Sequence, residues 1–427
     1  MTTDDKTITV IGAGMVGTCC ALALQDAGFD VTLIDRKAPG EEASFGNLAC
    51  FGIASCVPPG APGLWKKLPR LLRDPESPLR IRRDHALAMA PWLWSYLRNS
   101  SIARYEANAA ARQSLLEKVH DALDPWVREA GASDLLHHGG LLFTFESEAA
   151  FKNAAYAFDV RCRNRVEMDL LDGNEARQCE PALAKSVIKA YRVPKLVHTV
   201  NPGALVKALA RLFAERGGRI VQDEVRGFDI GPDGVRAMVT STGQRSVERV
   251  VIAAGVWSRA LAKMLGTSVP LEAERGYHAM YEGAEVRMNS AVLSVDRSIA
   301  ITPMNYGIRA GGAAEFARPD APADWTVAQM VQRHAEALVP GLGTTQHDRV
   351  STWVGPRPSH PDSKPAIGRA PHQPNAWFAF GHDHLGLTMG SITGKLIAEL
   401  VTGAPTSVDV TPFRPDRFGR RRSGTAF

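Results

Sequence analysis

An α/β fold is predicted by three features of the sequence. A β-α-β unit opens the chain, short strands joined by tight turns form a β-meander in its middle, and a second glycine turn leads into a long helix near its end. Residues 7–11 (TITVI) are apolar and β-branched, the pattern of a strand buried on both faces. Glycines follow, then a helix from Val16 to Ala27 stopped by Gly28, then a strand Val31–Ile34 ending at Asp35. From Pro39 to Pro78 the chain is rich in Gly and Pro with little periodicity, and reads as a long functional loop with short helices. Helices are expected over 84–97 and 102–130, a strand over 140–145 and a further helix to Arg165. Asn201 caps a helix with Pro202 in its first turn. Its apolar face is Leu205, Leu209, Leu212 and Phe213, and Gly217-Gly218 ends it. Strands over 225–230, 235–240 and 247–252 form the meander, with Gly231-Pro232-Asp233-Gly234 turning between the first two. Residues 276–312 alternate strands and turns, and 326–338 are helical. After a Pro-rich loop, a strand over 376–380 precedes the second glycine turn and a helix to Thr402.

Composition narrows the function classes. At roughly 150 residues per domain, the 427 residues make two or three domains. Hydrophobic residues at 45% and charged residues at 22% exclude a disordered chain or a coiled coil. A net charge of +5 over this length is too small for a nucleic-acid protein. The six cysteines form no CxxC pair, and adjacent Cys19 and Cys20 lie in an apolar segment as core residues do. A reducing compartment is expected, with no disulfide scaffold and no metal site. The start of the chain is acidic, unlike a signal peptide, and the apolar run Ile8–Leu24 is interrupted by glycines and too short to span a bilayer. The expected location is cytoplasmic, at most peripheral on the inner face of the membrane. Arg414, Arg417, Arg420, Arg421 and Arg422 read as a solvated basic tail that would support only weak contact with an anionic membrane surface.

Three segments carry chemistry. Gly12-Ala13-Gly14-Met15-Val16-Gly17 fits GxGxxG between a strand and a helix. Gly12 permits the tight turn, Gly14 lets a pyrophosphate approach the backbone, and Gly17 lets helix and strand pack closely. The helix N-terminus at Met15 and Val16 offers free N–H groups to the phosphates. Asp35 stands where a carboxylate can accept both ribose hydroxyls and repel a 2′-phosphate, which outweighs the hint of NADP in Arg36. The motif leaves FAD and NAD both open. The second segment, Gly381-His382-Asp383-His384-Leu385-Gly386-Leu387-Thr388, opens another helix N-terminus far along the chain. FAD is long enough to use two such contacts, one at its pyrophosphate and one at its ring, where a helix N-terminus stabilises the reduced flavin's negative charge. The third is Arg357 between Pro356 and Pro358, a guanidinium on a fixed backbone that suits bidentate capture of a carboxylate; a solvated loop arginine is the plainer alternative. His360 follows in the same segment and joins the substrate-binding candidates.

Together these segments resemble the flavoprotein family of D-amino-acid oxidases and dehydrogenases, which includes glycine and sarcosine oxidases. The resemblance extends over Ala43-Ser44-Phe45-Gly46-Asn47, Asn201-Pro202, Ala253-Ala254-Gly255-Val256-Trp257-Ser258 and Arg275-Gly276-Tyr277. Within the family the chain is most similar to the bacterial D-amino-acid dehydrogenases of the small-subunit type. The resemblance implies a Rossmann-like FAD-binding domain with its β-meander, assembled from 1–90, 195–262 and 350–427. It also implies an α+β substrate domain, 91–194 and 263–349, whose antiparallel sheet covers the flavin ring. It places Val225 at the adenine end, Ala254, Gly255 and Trp257 along the cofactor path, and Ser44 and Asn47 near the phosphates and ring. It pairs Arg357 with the amino-acid carboxylate, assisted by Tyr277. The implied reaction is oxidative deamination of an amino acid, D in configuration: hydride passes from Cα to flavin N5, and the iminium hydrolyses to a 2-oxo acid and ammonia. No catalytic acid–base side chain is required, and a quinone or oxygen takes the electrons. Alternatives are a glycine, sarcosine or cyclic imino-acid (D-proline or hydroxyproline) enzyme, a non-catalytic FAD-binding subunit of a larger complex, and an NAD-dependent dehydrogenase. Two departures from the family pattern concern the ring region. Leu48-Ala49-Cys50 replaces smaller residues, and Asp383 stands where glycine is common, either favouring a cationic or hydroxylated substrate or facing solvent. His382 and His384 read as a polar turn beside the cofactor rather than as bases or metal ligands, and Cys50 carries no sign of flavin attachment.

Overall fold

The computed structural model describes residues 6–74 and 76–419. Arg420, Arg421 and Arg422 of the basic end lie outside the described residues. Of the two arginines before them, Arg414 is exposed as expected and Arg417 is largely covered. Arg414 pairs with Asp416, and Arg417 reaches back to the buried Asp362 at 2.9 Å. No helix among the described residues is long and apolar enough to cross a membrane.

Thr7–Ile11 is buried near the middle of a six-stranded sheet, flanked in parallel by Asp30–Asp35 and Val250–Ile252. Ala376–Phe380 extends the sheet in parallel beyond Val250–Ile252, with Ala366–Arg369 antiparallel at that edge and Arg219–Gln222 at the other. The meander therefore differs from its expected form. Val225–Gly231 and Gly234–Thr240 pair around the predicted turn, but the third strand is the exposed Gln244–Ser246. Val250–Ile252 is buried on both faces, which a half-solvated meander cannot offer and the centre of a parallel sheet can.

Two helices pack side by side against this sheet: Met15–Asp26, which follows the first glycine turn, and Gly386–Thr402, which follows the second. A Cβ on Gly390 would lie 2.9 Å from Met15 Cγ, and one on Gly394 would lie 2.4 Å from the Cys19 carbonyl oxygen. Contacts advancing together along both helices mean that the helices run parallel. Their N-termini, and with them the two glycine turns, come to the same end of the sheet. Cys19 and Cys20 are fully buried here, and burial pushes both thiols far up.

A nine-stranded, mainly antiparallel sheet forms the second layer. Its central members are Glu272–Glu282, Gly307–Phe316 and Ile299–Met304, continuing through Ala291–Ser294 and Leu141–Phe145. The Pro-rich stretch expected to be a loop is the strand Val350–Ser359 at the edge of this sheet, paired with Glu272–Glu282. Proline lacks the N–H a central strand needs, and an edge strand tolerates that loss. Two segments expected with the FAD-binding part, Val350–Ser359 and Leu79–Ile81, thus pair within the larger sheet. The helix expected over 102–130 is broken into Ile102–Leu116 and Val119–Glu129.

Candidate active site

A cleft of about 520 Å³ runs between the two sheets from Asp35 to Leu387. At its first end Gly12 has φ of 110°, and a Cβ there would fall 2.4 Å from the Ala253 carbonyl oxygen. A Cβ on Gly17 would fall 1.7 Å from the Gly12 carbonyl oxygen, so helix and turn touch through backbone. Gly14 caps the helix, and its missing Cβ leaves room at Ser44, whose Oγ accepts from the Met15 N–H at 2.9 Å. Asp35 shares the work of building the turn: Oδ2 accepts from the Ala13 N–H at 2.7 Å and Oδ1 from the Lys37 N–H at 2.9 Å. Arg36 pairs with Glu42 at 3.1 Å and lies 3.9 Å over the Trp257 ring. Val16, Val225, Ala254 and Gly255 complete this wall.

Asn47 holds the loop toward the other end. Its amide donates to the Ala43 and Ser44 carbonyls and its Oδ1 accepts from Ala49, a residue with φ of 62°. Arg309, buried and without local signature, donates to the Phe45 and Asn47 carbonyls from the sheet side. Cys50 lines the cleft, but burial pushes its thiol up to about 11.

The second glycine turn forms the far wall through Gly381, His382, Asp383, His384, Gly386 and Leu387. Two expectations fail here. His360 is fully buried behind the turn, its Nδ1 paired with the Lys364 carbonyl at 2.9 Å and its ring packed on Phe418. A Cβ on Gly381 would overlap that ring at 2.0 Å, so the glycine accommodates His360 rather than presenting it. Thr388 is likewise behind the wall, its Oγ1 accepting from the Gly52 N–H at 2.9 Å. His382 is paired with Thr393 Oγ1 at 2.9 Å, and burial pushes His360 and His382 down to about 3, whereas His384 is exposed. His360 and His382 are neutral at ordinary pH, and no cluster of metal-holding side chains occurs among the described residues.

Arg357 lines the same cleft. Its Nη1 donates to Glu274 Oε1 at 3.0 Å and to the Ala313 carbonyl at 2.9 Å, fixing the guanidinium. Gly276 makes room for it, since a Cβ there would lie 2.1 Å from Arg357 Nη2. Tyr277 also lines the cleft, but its hydroxyl is turned away, donating to Glu315 at 2.7 Å and accepting from the Asp324 N–H at 3.0 Å. Any aid it gives the carboxylate site comes through its place in the wall, not its hydroxyl. Asp383 does not face solvent. It is 6% exposed, with Oδ2 3.8 Å from the fully buried Arg112 and Oδ1 accepting from the His360 N–H at 3.2 Å. Arg112, Glu274 and Arg309 went unnoticed in the sequence. Arg112 sits in an alanine-rich helix that reads as ordinary, and only its tertiary partners give it significance.

The cleft fits FAD on its own geometry. Two glycine-lined helix N-termini face one elongated space, and at Gly12 and Gly17 a side chain would collapse the turn that borders it. Comparison with known proteins agrees. The chain is 35% identical over 421 residues to a D-amino-acid oxidase of Bradyrhizobium diazoefficiens, covering 97% of this chain and 99% of that protein. Its fold is similar to that of glycine oxidase from Geobacillus kaustophilus, with TM-score 0.76 and 21% identity over 96% of this chain and 98% of that one. It is also similar to that of an L-proline dehydrogenase from P. horikoshii, with TM-score 0.74 and 22% identity over 97% and 98%. Residues 7–400 match the FAD dependent oxidoreductase (DAO) family, which sets aside the NAD-dependent alternative, and the chain belongs to that family.

Proposed function

We propose that the protein oxidatively deaminates amino acids, D-amino acids foremost, using FAD. The observation that carries this reading is the meeting of both glycine turns and Arg357 in one cleft. Gly12, Gly14, Met15 and Gly17 would hold the pyrophosphate, with Asp35 and Val225 toward the adenosine. Ser44, Asn47, Gly381, Gly386 and Leu387 would hold the flavin half. When bound, FAD supplies the two-electron oxidation, accepting the hydride that leaves the substrate Cα. Arg357, held by Glu274 and Ala313, binds the substrate carboxylate and so fixes where Cα lies. The walls exclude water until the imine is released and hydrolysed to a 2-oxo acid and ammonia. In this scheme the parallel sheet and meander serve FAD, and the antiparallel sheet, with the edge strand bearing Arg357, serves the substrate.

The test is an anaerobic panel of D- and L-amino acids, glycine, sarcosine and proline analogues against the yellow holoenzyme. Bleaching by D-amino acids supports the reading. Bleaching only by glycine, sarcosine or a cyclic imino acid moves the assignment to those substrates, and bleaching by none leaves the FAD-binding scaffold. Admitting air then separates an oxygen-using enzyme, whose colour returns at once, from one that needs a quinone.

A further inference from the structure

Asp383 is the one acidic side chain on the second glycine turn, and the proposed reaction gives it no role. It lines the cleft with Arg357, and the strand bearing Arg357 packs on its turn. Its backbone has φ of 51°, a conformation that costs most residues energy and that Asn, Asp and Gly tolerate best. Glycine would sit there without strain, so the backbone does not itself call for a carboxylate. A buried carboxylate also needs support, and this one has it in the Arg112 guanidinium and the His360 N–H.

We infer that Asp383 is the amine-side counterpart of Arg357: its carboxylate receives the substrate's ammonium group and takes a proton from it. The step breaks one N–H bond and forms one O–H bond on Asp383. The electron pair stays on nitrogen as the lone pair that drives hydride departure from Cα to FAD. The inference rests on the amino-acid reading and names the group that readies the amine for it.

The surroundings give Asp383 a suitable basicity. Burial and the neighbouring Glu274 and Asp362 carboxylates raise it, while Arg112 and a Ser363 hydrogen bond lower it, and the balance is pushed up to about 7. Arg357 pairs with Glu274 at 3.0 Å. Tyr96, on the packed helix Ala86–Asn99, is pushed far up and stays a neutral phenol, the buried His382 of the same turn is neutral as well, and His384 is exposed. Asp383 is thus the buried group here that changes charge near neutrality.

The test uses dithionite-reduced holoenzyme under anaerobic conditions, which binds an amino acid without turning it over. D-alanine and propanoate, which lacks only the amine, are titrated calorimetrically in buffers of different ionisation enthalpy. Wild type is expected to prefer D-alanine by about tenfold to a hundredfold, the range of a charge-assisted hydrogen bond. Binding of D-alanine should release close to a full proton at about pH 6 and almost none at about pH 8, because Asp383 and the bound amine share a single acidic proton, as carboxylate with ammonium or carboxylic acid with amine. Asp383→Asn and Asp383→Gly both suit the backbone. Each should abolish the preference and the proton release while changing propanoate affinity less than about twofold. A preference for D-alanine that survives in both variants overturns the inference. So does the absence of proton release in wild type at the lower pH, a readout that needs no variant to fold. If wild type binds neither ligand and no amino acid bleaches the oxidised enzyme, the amino-acid reading falls as well; if amino acids bleach it and the preference survives substitution, only the role of Asp383 falls.

Discussion

Gly17→Ala adds a single methyl group at the tightest point of the proposed FAD cradle. The added Cβ would sit 1.7 Å from the Gly12 carbonyl oxygen and 2.8 Å from its carbon. An ordinary contact is about 3.5 Å, so helix Met15–Asp26 and the Gly12 turn must separate by roughly 1.8 Å. The helix cannot simply retreat, because its other side lies against Gly390 and Gly394 at distances that leave no slack. Overpacking of this kind costs about 1–3 kcal/mol. The displaced atoms are those that place the Gly14 and Met15 N–H groups, so much of the cost should appear in FAD affinity. At about 1.4 kcal/mol per factor of ten, FAD should bind roughly tenfold to a hundredfold more weakly. The assay is titration of FAD into deflavinated protein, with the flavin-to-protein ratio after purification and the melting temperature as companions. A variant with wild-type FAD affinity and unchanged melting temperature would refute the argument that backbone contact at Gly17 shapes the cradle.

Arg357→Ala should leave FAD bound while KM for the amino acid rises by about tenfold to a hundredfold, the loss of a charge-assisted hydrogen bond; an unchanged KM would remove Arg357 from the carboxylate site. Acid should destabilise the fold. His278, His360 and His382 are pushed down to about 3 by burial and His198 to about 4, against an ordinary 6.5. Below 6.5 the unfolded chain takes up protons that the folded one refuses. Stability is therefore lost as pH falls from about 6.5 toward 3, at up to about 1.4 kcal/mol per pH unit for each histidine. Asp383 acts the other way, losing stability as pH rises from its ordinary 3.8 through about 7, but it is one group against four. Melting temperatures measured between about pH 7 and pH 5 should fall toward acid, and a flat or rising series would contradict the neutral burial of these histidines.

What the sequence made legible was local. The first β-α-β unit is visible because the glycines, the apolar strand and the acid at Asp35 fall within a short stretch and each has its own geometric job. The helix opening at Asn201 is visible for the same reason, its side chain capping the Ala204 N–H at 3.0 Å. What stayed hidden was tertiary. The prolines around Arg357 fix its backbone whether it lies in a loop or an edge strand, and only pairing with Glu272–Glu282 decides between them. His360 adjoins Arg357 in sequence, yet its ring points the other way, into a space that Gly381 leaves open. The third meander strand was misplaced because an apolar run does not say which sheet will bury it. Nothing near Gly390 and Gly394 announces that they meet Met15 and Cys19, although that contact brings the two glycine turns together.

The central claim is that one cleft holds FAD and an amino acid so that the first oxidises the second. Its most direct test is a single-turnover titration: oxygen-free holoenzyme mixed with a D-amino acid, with flavin absorbance and 2-oxo acid measured on the same sample. The account predicts that the flavin bleaches and that 2-oxo acid and ammonia appear in equal amounts to the flavin reduced. A protein that keeps its yellow colour with every amino and imino acid tried would contradict it.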